Sequence, residues 1–242
     1  MKPDVVVDIG NTRVKWGRCS DAGVSHVIAI GHTIPAWDGQ IHEWRSDLPR
    51  HCHWAVAGVV PISIDRFREW ASGRGDRVTV VSACEQIPIP LDIQCPETVG
   101  LDRLLGAVAA RSLFPGKRIL VVDAGSAVTM NLVDDAFRGG AIFPGLRLLG
   151  EALHAHTARL PKVLLDKVES YPGRNTEAAI RAGLCSVMAG AVEHCARQCE
   201  PEAIVLTGGD GALLESMVTW AVKRYEPALN LVGLWRTVDL MP

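Results

Sequence analysis

The stretch VVVDIGNTRVKWG, residues 5–17, decides the fold of this chain. An apolar run carries one acid, Asp8, and is followed by a small-residue turn and a segment of alternating apolar and polar residues, which predicts a β-hairpin. Gly10 permits a tight bend or the close approach of a ligand, and Asn11 and Thr12 place short polar side chains beside backbone N–H groups. Such a bend suits a phosphate chain, and an ordinary hairpin with an Asx-type turn explains this stretch equally well.

A second stretch, LVVDAGSAVT at residues 120–129, repeats the same plan. Asp123 ends an apolar run, Gly125 follows two residues later, and the hydroxyl residue Ser126 comes next. The two acids are separated by about one domain's length. Internal repetition of this kind indicates a duplicated unit. We therefore predict two domains, residues 1–112 and 113–242, whose bends face a shared cleft and hold a polyphosphate from both sides.

Composition restricts the class of protein. The 242 residues are 48% hydrophobic and 21% charged, with a formal net charge of −2, which is typical of a globular protein and does not favour a nucleic-acid partner. The sequence has no apolar run of the roughly 20 residues that a membrane span requires and no signal-peptide pattern at its start, so we expect no membrane association and a cytoplasmic enzyme.

Cysteine usage agrees with a reducing compartment. The seven cysteines include no Cys-x-x-Cys pair, and the chain is too long to need a disulfide framework. The cluster at residues 51–53 and the group around His194 do not have the spacing of a zinc site. Cys195 and Cys199 are four residues apart, and we expect them to share one face of a helix.

The remaining pattern predicts alternating strands and helices. After a third strand at 24–30 and an irregular stretch at 31–53, the first half continues with a strand at 54–60, a helix at 61–72 and a strand at 77–82. The second half is predicted to contain a third strand at 137–145, a helix at 146–160, a loop at 161–173, a long helix capped by Asn175 or Thr176, and a strand at 203–207. Strand and helix alternation after a meander indicates an α/β fold with mixed sheets.

Two further motifs are candidates for binding. In PETVGLDR, residues 96–103, Asp102 and Arg103 fall in the first turn of a predicted helix. The helix dipole by itself favours an acid there, and an arginine there can simply pair with a surface carboxylate. The strand at 203–207 ends in Gly208-Gly209-Asp210-Gly211, where a nucleotide's base and ribose could lie on bare backbone. A plain strand–helix turn explains the glycines as well, and neither a P-loop nor a dinucleotide fingerprint is present.

The order of these motifs resembles the phosphate-1, phosphate-2 and adenosine motifs of the actin, Hsp70 and sugar-kinase superfamily. Within that superfamily the chain is similar to the type III pantothenate kinases, which also include the Bvg accessory factors. The similarity rests on DIGNT at 8–12, TVGLDR at 98–103, DAGS at 123–126 and GGAIFPG at 139–145, in the family's order. It implies two similar actin-like, ribonuclease H-like α/β domains with mixed sheets and a cleft between them.

The resemblance also implies an activity: transfer of the γ-phosphoryl group of ATP to pantothenate, the first committed step toward coenzyme A, by a homodimer that uses Mg²⁺ with ATP. It assigns the general base to Asp102 and a monovalent cation, K⁺ or NH₄⁺, to Asp123. The implied pantothenate-binding residues are Gly100, Leu101, Asp102, Arg103 and Thr176. The implied ATP- and phosphate-binding residues are Asp8, Ile9, Gly10, Asn11, Thr12, Arg13, Val14, Lys15 and Ser126.

The second bend departs from the family pattern. Val128 stands where a threonine is frequent, and Asn131 stands where the family has an acid, so the cation requirement or nucleotide affinity is expected to differ. Two alternative functions stay open at this point. One is a nucleotide-binding regulator without catalysis, and the other is a kinase for a different small hydroxy acid, because fold analogy does not settle the substrate.

Overall fold

The computed structural model describes residues 2–10, 13–165 and 167–241, and the chain divides into two compact units. The first unit comprises Met1–Ser112 and Ala228–Pro242, and the second comprises Leu113–Pro227. The strands are, in chain order, β1 (Val5–Ile9), β2 (Val14–Ser20), β3 (Gly23–Ile30), β4 (His53–Gly58), β5 (Arg77–Val80), β6 (Ile119–Ala124), β7 (Ala127–Val133), β8 (Phe137–Pro144), β9 (Ala203–Thr207) and β10 (Lys223–Tyr225). The helices are α1 (Ile34–Trp44), α2 (Pro61–Gly73), α3 (Leu101–Leu113), α4 (Leu146–Ala155), α5 (Thr176–Cys199), α6 (Gly211–Met217) and α7 (Leu229–Asp239), with short 3₁₀ turns at Cys84–Gln86 and Pro96–Thr98.

Each unit contains one five-stranded mixed sheet. The first sheet has the order β3-β2-β1-β4-β5, and the second has the order β8-β7-β6-β9-β10. In both sheets the first three strands form an antiparallel meander, the fourth strand pairs in parallel with the first, and the fifth pairs in parallel with the fourth. The α/β architecture with two similar mixed sheets, predicted from the repeated hairpin, is thereby confirmed.

Most predicted elements of the first unit are present, with one correction. The stretch 31–53 was expected to be irregular, whereas residues 34–44 form α1. This helix buries Trp37, Gln40 and Trp44. Ile34, Trp37, Ile41 and Trp44 recur at helical spacing, so the 3.6-residue pattern was present and the expectation of an irregular stretch was wrong. Both α1 and α2 have a proline in the first turn, which is Pro61 in α2. Proline is favoured there because the first N–H groups of a helix have no intrahelical partner, so the N–H that proline lacks is not missed.

The second unit follows its predicted order. The helix after β8 ends at Ala155 instead of Leu160, and the N–H of His156 completes its last turn on Ala152 O. The long helix α5 begins where expected, because the Asn175 side chain accepts a hydrogen bond of 2.9 Å from Ala178 N. Cys195 and Cys199 lie on one face of this helix, packed against the core of the second unit.

The last helix belongs to the first unit, although the predicted second domain extended to residue 242. Leu231 of α7 lies on the first sheet, where its side chain approaches Gly17. A Cβ atom at Gly233 would lie 1.9 Å from Leu105 O, so the absence of a side chain lets α7 pack closely against α3. Packing of α7 on β1–β4 encloses the face of the first sheet that carries Val6 and Asp8.

Within the described ranges, no helix combines the length and the apolar character that are needed to cross a membrane.

Candidate functional site

The first bend connects β1 to β2 through residues 10–13. Gly10 N donates a hydrogen bond of 3.1 Å to Arg13 O, which closes the bend. Ile9 and Val14, on either side of it, are fully buried in the core, so only their backbone groups can contact a ligand. Arg13 is exposed. The predicted phosphate contacts of Asn11 and Thr12 lie outside the described residues.

Asp8 lies in the strand just before this bend, on the face opposite to Ile9. The sheet register places Asp8 directly across from Lys15 of β2 and beside Ala57 of β4. Directly opposed residues share one face of a sheet, with Cβ atoms about 5 Å apart. The first bend therefore combines a carboxylate with a nearby cationic side chain, which suits the binding of a phosphate and its metal.

The second bend is tighter, because only Gly125 and Ser126 separate β6 from β7. Gly125 N donates to Ala127 O at 3.1 Å, and Gly145 N donates to Ser126 O at 3.0 Å. A Cβ atom at Gly145 would lie 2.1 Å from Gly125 O, so the segment after β8 presses directly on the bend. Ser126 is exposed at the tip, where its hydroxyl can reach a ligand.

Oxygen atoms from three strands surround Asp123. In the register of the second sheet, Asp123 is paired with Thr129 of β7 and with Thr207 of β9. Asn131, two residues further on β7, lies on the same face, and its Nδ2 donates to Thr129 Oγ1 at 3.3 Å. Asn131 and Thr207 are buried, with 1% and 3% exposure. One carboxylate, two hydroxyls and an amide oxygen form the kind of hard-oxygen set that binds a cation.

The Gly208–Gly211 turn lies against this oxygen set. Gly208 has a φ of +88°, and a Cβ atom there would lie 2.4 Å from Ala124 O and 2.5 Å from Asp123 Oδ1. The Asp123 carboxylate can therefore lie over Gly208 only because this residue has no side chain. Asp210 N donates to Ala124 O at 3.0 Å, which ties the turn to the second bend. Burial raises the pKa of the Asp210 carboxyl above its usual range.

Tyr225 of β10 supports the same turn and was not singled out from the sequence. Its hydroxyl donates to Gly208 O at 3.3 Å, and its ring lies where a side chain at Gly211 would otherwise be. Burial, with the charges of Glu215 and Asp123, raises the pKa of Tyr225 above its usual value. The short strand KRY carries no periodic signal, so neither β10 nor this contact was predictable.

The start of α3 carries the third group of candidate residues. Leu101 begins the helix, and Asp102 lies in its first turn, as predicted. Asp102 Oδ1 accepts a hydrogen bond of 2.8 Å from Arg103 N and lies 2.5 Å from the position of a Cβ atom at Gly100. Asp102 and Arg103 are both half-buried. Burial lowers the pKa of Arg103, and the Asp102 charge opposes that shift.

Thr176 is the exposed first residue of α5. It lines an apolar groove of about 690 Å³ between α4 and α5. The groove walls are mainly aliphatic, formed by Leu149, Leu153, Leu160, Ile180, Leu184 and Val187.

The structure thus groups the sequence-predicted residues in three places within the units, with Thr176 in a fourth place at the start of α5. The first bend gathers Asp8 to Gly10 with Arg13 to Lys15, the start of α3 gathers residues 100–103, and the second bend joins Asp123 to Ser126. Among the described residues, no cluster of three or more His, Cys, Asp or Glu side chains is arranged to hold a metal ion. A cation at Asp123 would therefore depend on hydroxyl, amide and backbone oxygens beside a single carboxylate.

Comparison with solved structures gives the fold class, which is that of proteins with two actin-like domains. An ROK family glucokinase from Streptomyces griseus, solved with glucose and AMPPNP, matches with a TM-score of 0.54 and 13% identity, over 98% of each chain. The likeness at this identity concerns the fold. It confirms the actin-like class that was predicted from the two hairpin bends.

Sequence comparison identifies the family. The type III pantothenate kinase family model matches residues 5–198. A type III pantothenate kinase from Phenylobacterium zucineum is 34% identical over 193 residues, covering 75% of this chain and 74% of that protein. One from Oleidesulfovibrio alaskensis is 33% identical over 254 residues, covering 95% of this chain and 94% of that protein. The chain belongs to the type III pantothenate kinase family.

Proposed function

We propose that this chain transfers the γ-phosphoryl group of ATP to the primary hydroxyl of pantothenate in coenzyme A biosynthesis, with Asp102 as the general base. As a member of its family the chain is an ATP-dependent pantothenate kinase. The observation that carries the assignment of roles is the half-buried pair of Asp102 and Arg103 in the first turn of α3.

Asp102 has the features of a base that acts on a hydroxyl group. Its Oδ1 accepts the Arg103 backbone N–H, which fixes the carboxylate and leaves Oδ2 to accept a proton from the substrate. Phosphoryl transfer depends mainly on in-line positioning and charge neutralisation, so a base held in one orientation contributes by aligning the hydroxyl as well as by accepting its proton.

Arg103 is suited to the other end of pantothenate, which carries a carboxylate. Successive residues of an α-helix point about 100° apart, so Asp102 and Arg103 can contact separate parts of one substrate. Partial burial strengthens a charge-assisted pair with a carboxylate, and the planar guanidinium binds carboxylates in a bidentate manner. Gly100 and Leu101 position this pair through the backbone, and Thr176 is proposed as a further pantothenate contact.

The phosphates of ATP are proposed to lie on the two bends. Asp8, the Gly10 backbone, Arg13 and Lys15 provide the first set of contacts, and the Ser126 hydroxyl and backbone provide the second. The base and ribose are proposed to rest on the Gly208–Gly211 turn. The family requires a divalent metal with ATP, and Asp8 is the candidate to hold the water shell of Mg²⁺, which neutralises phosphate charge when it is bound.

A monovalent cation, K⁺ or NH₄⁺, is proposed at Asp123. The oxygens of Thr129 and Thr207 lie on the same face as the carboxylate and suit such an ion. Asn131 supplies an amide in place of a charge, which we expect to weaken cation binding without removing it. Val128 is buried, with 1% exposure, on the opposite face, so a threonine hydroxyl there would point away from Asp123.

We further propose a homodimer that forms across the groove between α4 and α5, in the cytoplasm. Leu153 and Val187 are exposed in this groove, and Gly183 would admit a closely packed partner helix because a Cβ atom there meets no described atom within 4 Å. All seven cysteines are free thiols, in keeping with a reducing compartment.

The test is ADP release from MgATP, measured with and without pantothenate and with and without K⁺. Asp102→Asn should reduce pantothenate-dependent turnover by about 10²–10⁴-fold, the usual contribution of a general base, while ADP still binds. Asp65→Asn, on an exposed acid of α2, is the control and should remain fully active. Turnover of Asp102→Asn near that of the unmodified protein would remove the general-base role.

The same assay separates the alternatives. ATP binding without turnover on any acceptor would favour a regulator, and turnover with an acceptor other than pantothenate would favour a kinase for another small hydroxy acid. Loss of turnover in K⁺-free buffer would support the cation at Asp123.

A further inference from the structure

A second pocket, unrelated to the bends, lies in the first unit and has a volume of about 740 Å³. It is formed by the outer face of α1, the segment 45–52 and the end of α2. Its lining combines the basic side chains of His42, Arg45, Arg50 and Arg74 with the apolar side chains of Ile41 and Leu48. Such a concentration of positive charge is not expected from the whole chain, whose formal net charge is −2.

The pocket lies at the opposite end of the sheet from the first bend. Cys52 immediately precedes β4, and Arg74 precedes β5, so the pocket is at the amino ends of these parallel strands. The first bend is at the carboxyl end of β4, where Gly58 pairs with Ile9. At about 3.3 Å per residue, β4 separates the two places by roughly 17 Å. A ligand in this pocket is therefore distinct from a nucleotide on the bends.

Arg74 is held in a fixed orientation at the pocket wall. Its Nε donates at 3.3 Å to Asp76 Oδ2, and its Cζ lies 5.2 Å from the centre of the Trp70 ring. The Asp76 side chain is only 1% exposed and also accepts hydrogen bonds from Cys52 N at 3.0 Å and Trp54 Nε1 at 2.9 Å. Neither contact of Arg74 uses its Nη groups, so the buried network orients the guanidinium without occupying its outer edge.

Arg45 and Arg50 have no side-chain hydrogen bond or ion pair with any residue in the described part of the chain. Both are exposed. Arg45 follows the end of α1, where a basic residue is favoured by the helix dipole, but no hydrogen bond joins its guanidinium to a described carbonyl of the last turn. Guanidinium groups that line one concave surface repel each other, and a bound anion would offset that repulsion.

The basic side chains of the pocket lining outnumber its acids. Asp38, the acid among the described lining residues, accepts a hydrogen bond of 2.9 Å from Trp70 Nε1. Asp47, in the same segment as Arg45, is paired with Arg18. Burial raises the pKa of the Cys52 thiol to about 12, so this side chain adds no negative charge.

We propose that this pocket binds a small molecule that carries two or more phosphate charges, with its charged groups between Arg45, Arg50 and Arg74 and its apolar part against Ile41 and Leu48. Guanidinium groups pair with phosphate through two parallel hydrogen bonds, which gives both affinity and orientation. The volume is that of a typical small-molecule site.

The test uses pyrophosphate as the probe, with binding measured by calorimetry at constant ionic strength. Saturating ADP occupies the proposed nucleotide site, so that the remaining binding reports on the second pocket. We expect one site in the unmodified protein and in the control Arg68→Ala, which alters an exposed arginine of α2 that pairs with Asp65. Binding should be at least tenfold weaker in the double variant Arg45→Ala/Arg50→Ala, whose pantothenate-dependent ADP release should be unchanged.

Equal affinity in the double variant and in the control would overturn the proposal. Citrate that bound as tightly as pyrophosphate would overturn the assignment of phosphate in favour of a carboxylate ligand. Because binding is read directly, the proposal can be judged even if the chain fails to phosphorylate pantothenate.

Discussion

The two hairpin bends occupy the same position in two sheets of identical strand order, yet their surroundings differ. Asp8 lies across from Lys15 and beside Ala57, whereas the equivalent Asp123 lies across from Thr129 and beside Thr207. The acid of the first bend thus has a cationic neighbour, and the acid of the second has oxygen neighbours. The same topology presents one bend suited to an anion and another suited to a cation.

Close approach of backbone to the acid-bearing strand is found in both units, with one difference. Backbone or carboxylate atoms approach the second bend at Gly145 and Gly208, where a Cβ atom would lie within 2.5 Å of its neighbours. In the first unit the equivalent of Gly208 is Gly58, where a Cβ atom would lie 2.5 Å from Ile9 O, but only Gly208 has a positive φ and a carboxylate oxygen in contact. The comparison shows that a duplicated hairpin sets where an acid lies, whereas the residues of neighbouring strands set what that acid can bind.

The cores beneath the two bends show a similar contrast. The first core contains Phe67 and five tryptophans in mutual contact, at positions 16, 37, 44, 54 and 70, with ring centres 5.0–6.1 Å apart. The second core is aliphatic, with Met188 and Val192 of α5 packed against the leucines and valines of the sheet. One strand order therefore accommodates two kinds of packing.

The largest expected effect is that of Gly208→Ala. A positive φ and the contacts with Ala124 O and Asp123 Oδ1 combine backbone strain with overpacking, and together they should cost about 5 kcal/mol of unfolding free energy. Urea unfolding measures this value. Gly209→Ala is the control, because a Cβ atom there would meet no described atom within 4 Å. Gly58→Ala meets the same close backbone approach, 2.5 Å from Ile9 O, without a positive φ, so it should cost less than Gly208→Ala, and an equal cost would refute the contribution of the positive φ and the carboxylate contact.

The next effect concerns the cores. Phe67→Ala should destabilise the protein by about 4 kcal/mol, because the residue is fully buried and touches four tryptophans. Met188→Ala, fully buried in the second core, should cost about 3 kcal/mol, since it lacks the aromatic contribution. Both values come from denaturant unfolding followed by circular dichroism. A larger loss for Met188→Ala would show that aromatic contacts add nothing to the first core.

A smaller effect is expected from Tyr225→Phe. This change removes only the hydroxyl that donates to Gly208 O, which should cost about 1 kcal/mol of stability. It should also weaken ADP binding several-fold, because the turn that Tyr225 supports is the proposed site of the base and ribose. Tyr171→Phe, at a side chain with 86% exposure, should leave both quantities unchanged. Unaltered ADP affinity in Tyr225→Phe would separate Tyr225 from nucleotide binding.

The smallest effect is a pH dependence specific to the first unit. Burial lowers the pKa of His53, whose ring nitrogens contact Lys2 O and Thr79 Oγ1. The unfolded chain then binds a proton at a higher pH than the folded chain, so stability is lost as the pH falls from about 6.5 toward the folded pKa. His53→Gln should flatten the dependence of unfolding free energy on pH in that range, whereas His194→Gln, at an exposed position, should not. A slope that persists in His53→Gln would assign it to another group.

Much of the fold followed from local pattern. The apolar runs with one acid and a glycine predicted both hairpins, because alternation along a strand and turn chemistry act over a few residues. The cap at Asn175 and the helix start at Asp102 were predictable for the same reason. Helix α1 was missed although its apolar residues recur at helical spacing, and the partners that bury it, Trp16, Trp54 and Phe67, come from other elements.

The sequence by itself determined the order of strands within each hairpin, the repeat, and the motifs by which the chain resembles its family. Only the tertiary structure decided which residues lie beside the repeated acids. Thr207 and Gly208 reach Asp123 because β9 pairs in parallel with β6. Tyr225 reaches the turn at Gly208 because β10 pairs with β9. The physical reason is that parallel strands are joined by long crossovers, so their register depends on the packing of the whole sheet and leaves no signal in the spacing of nearby residues.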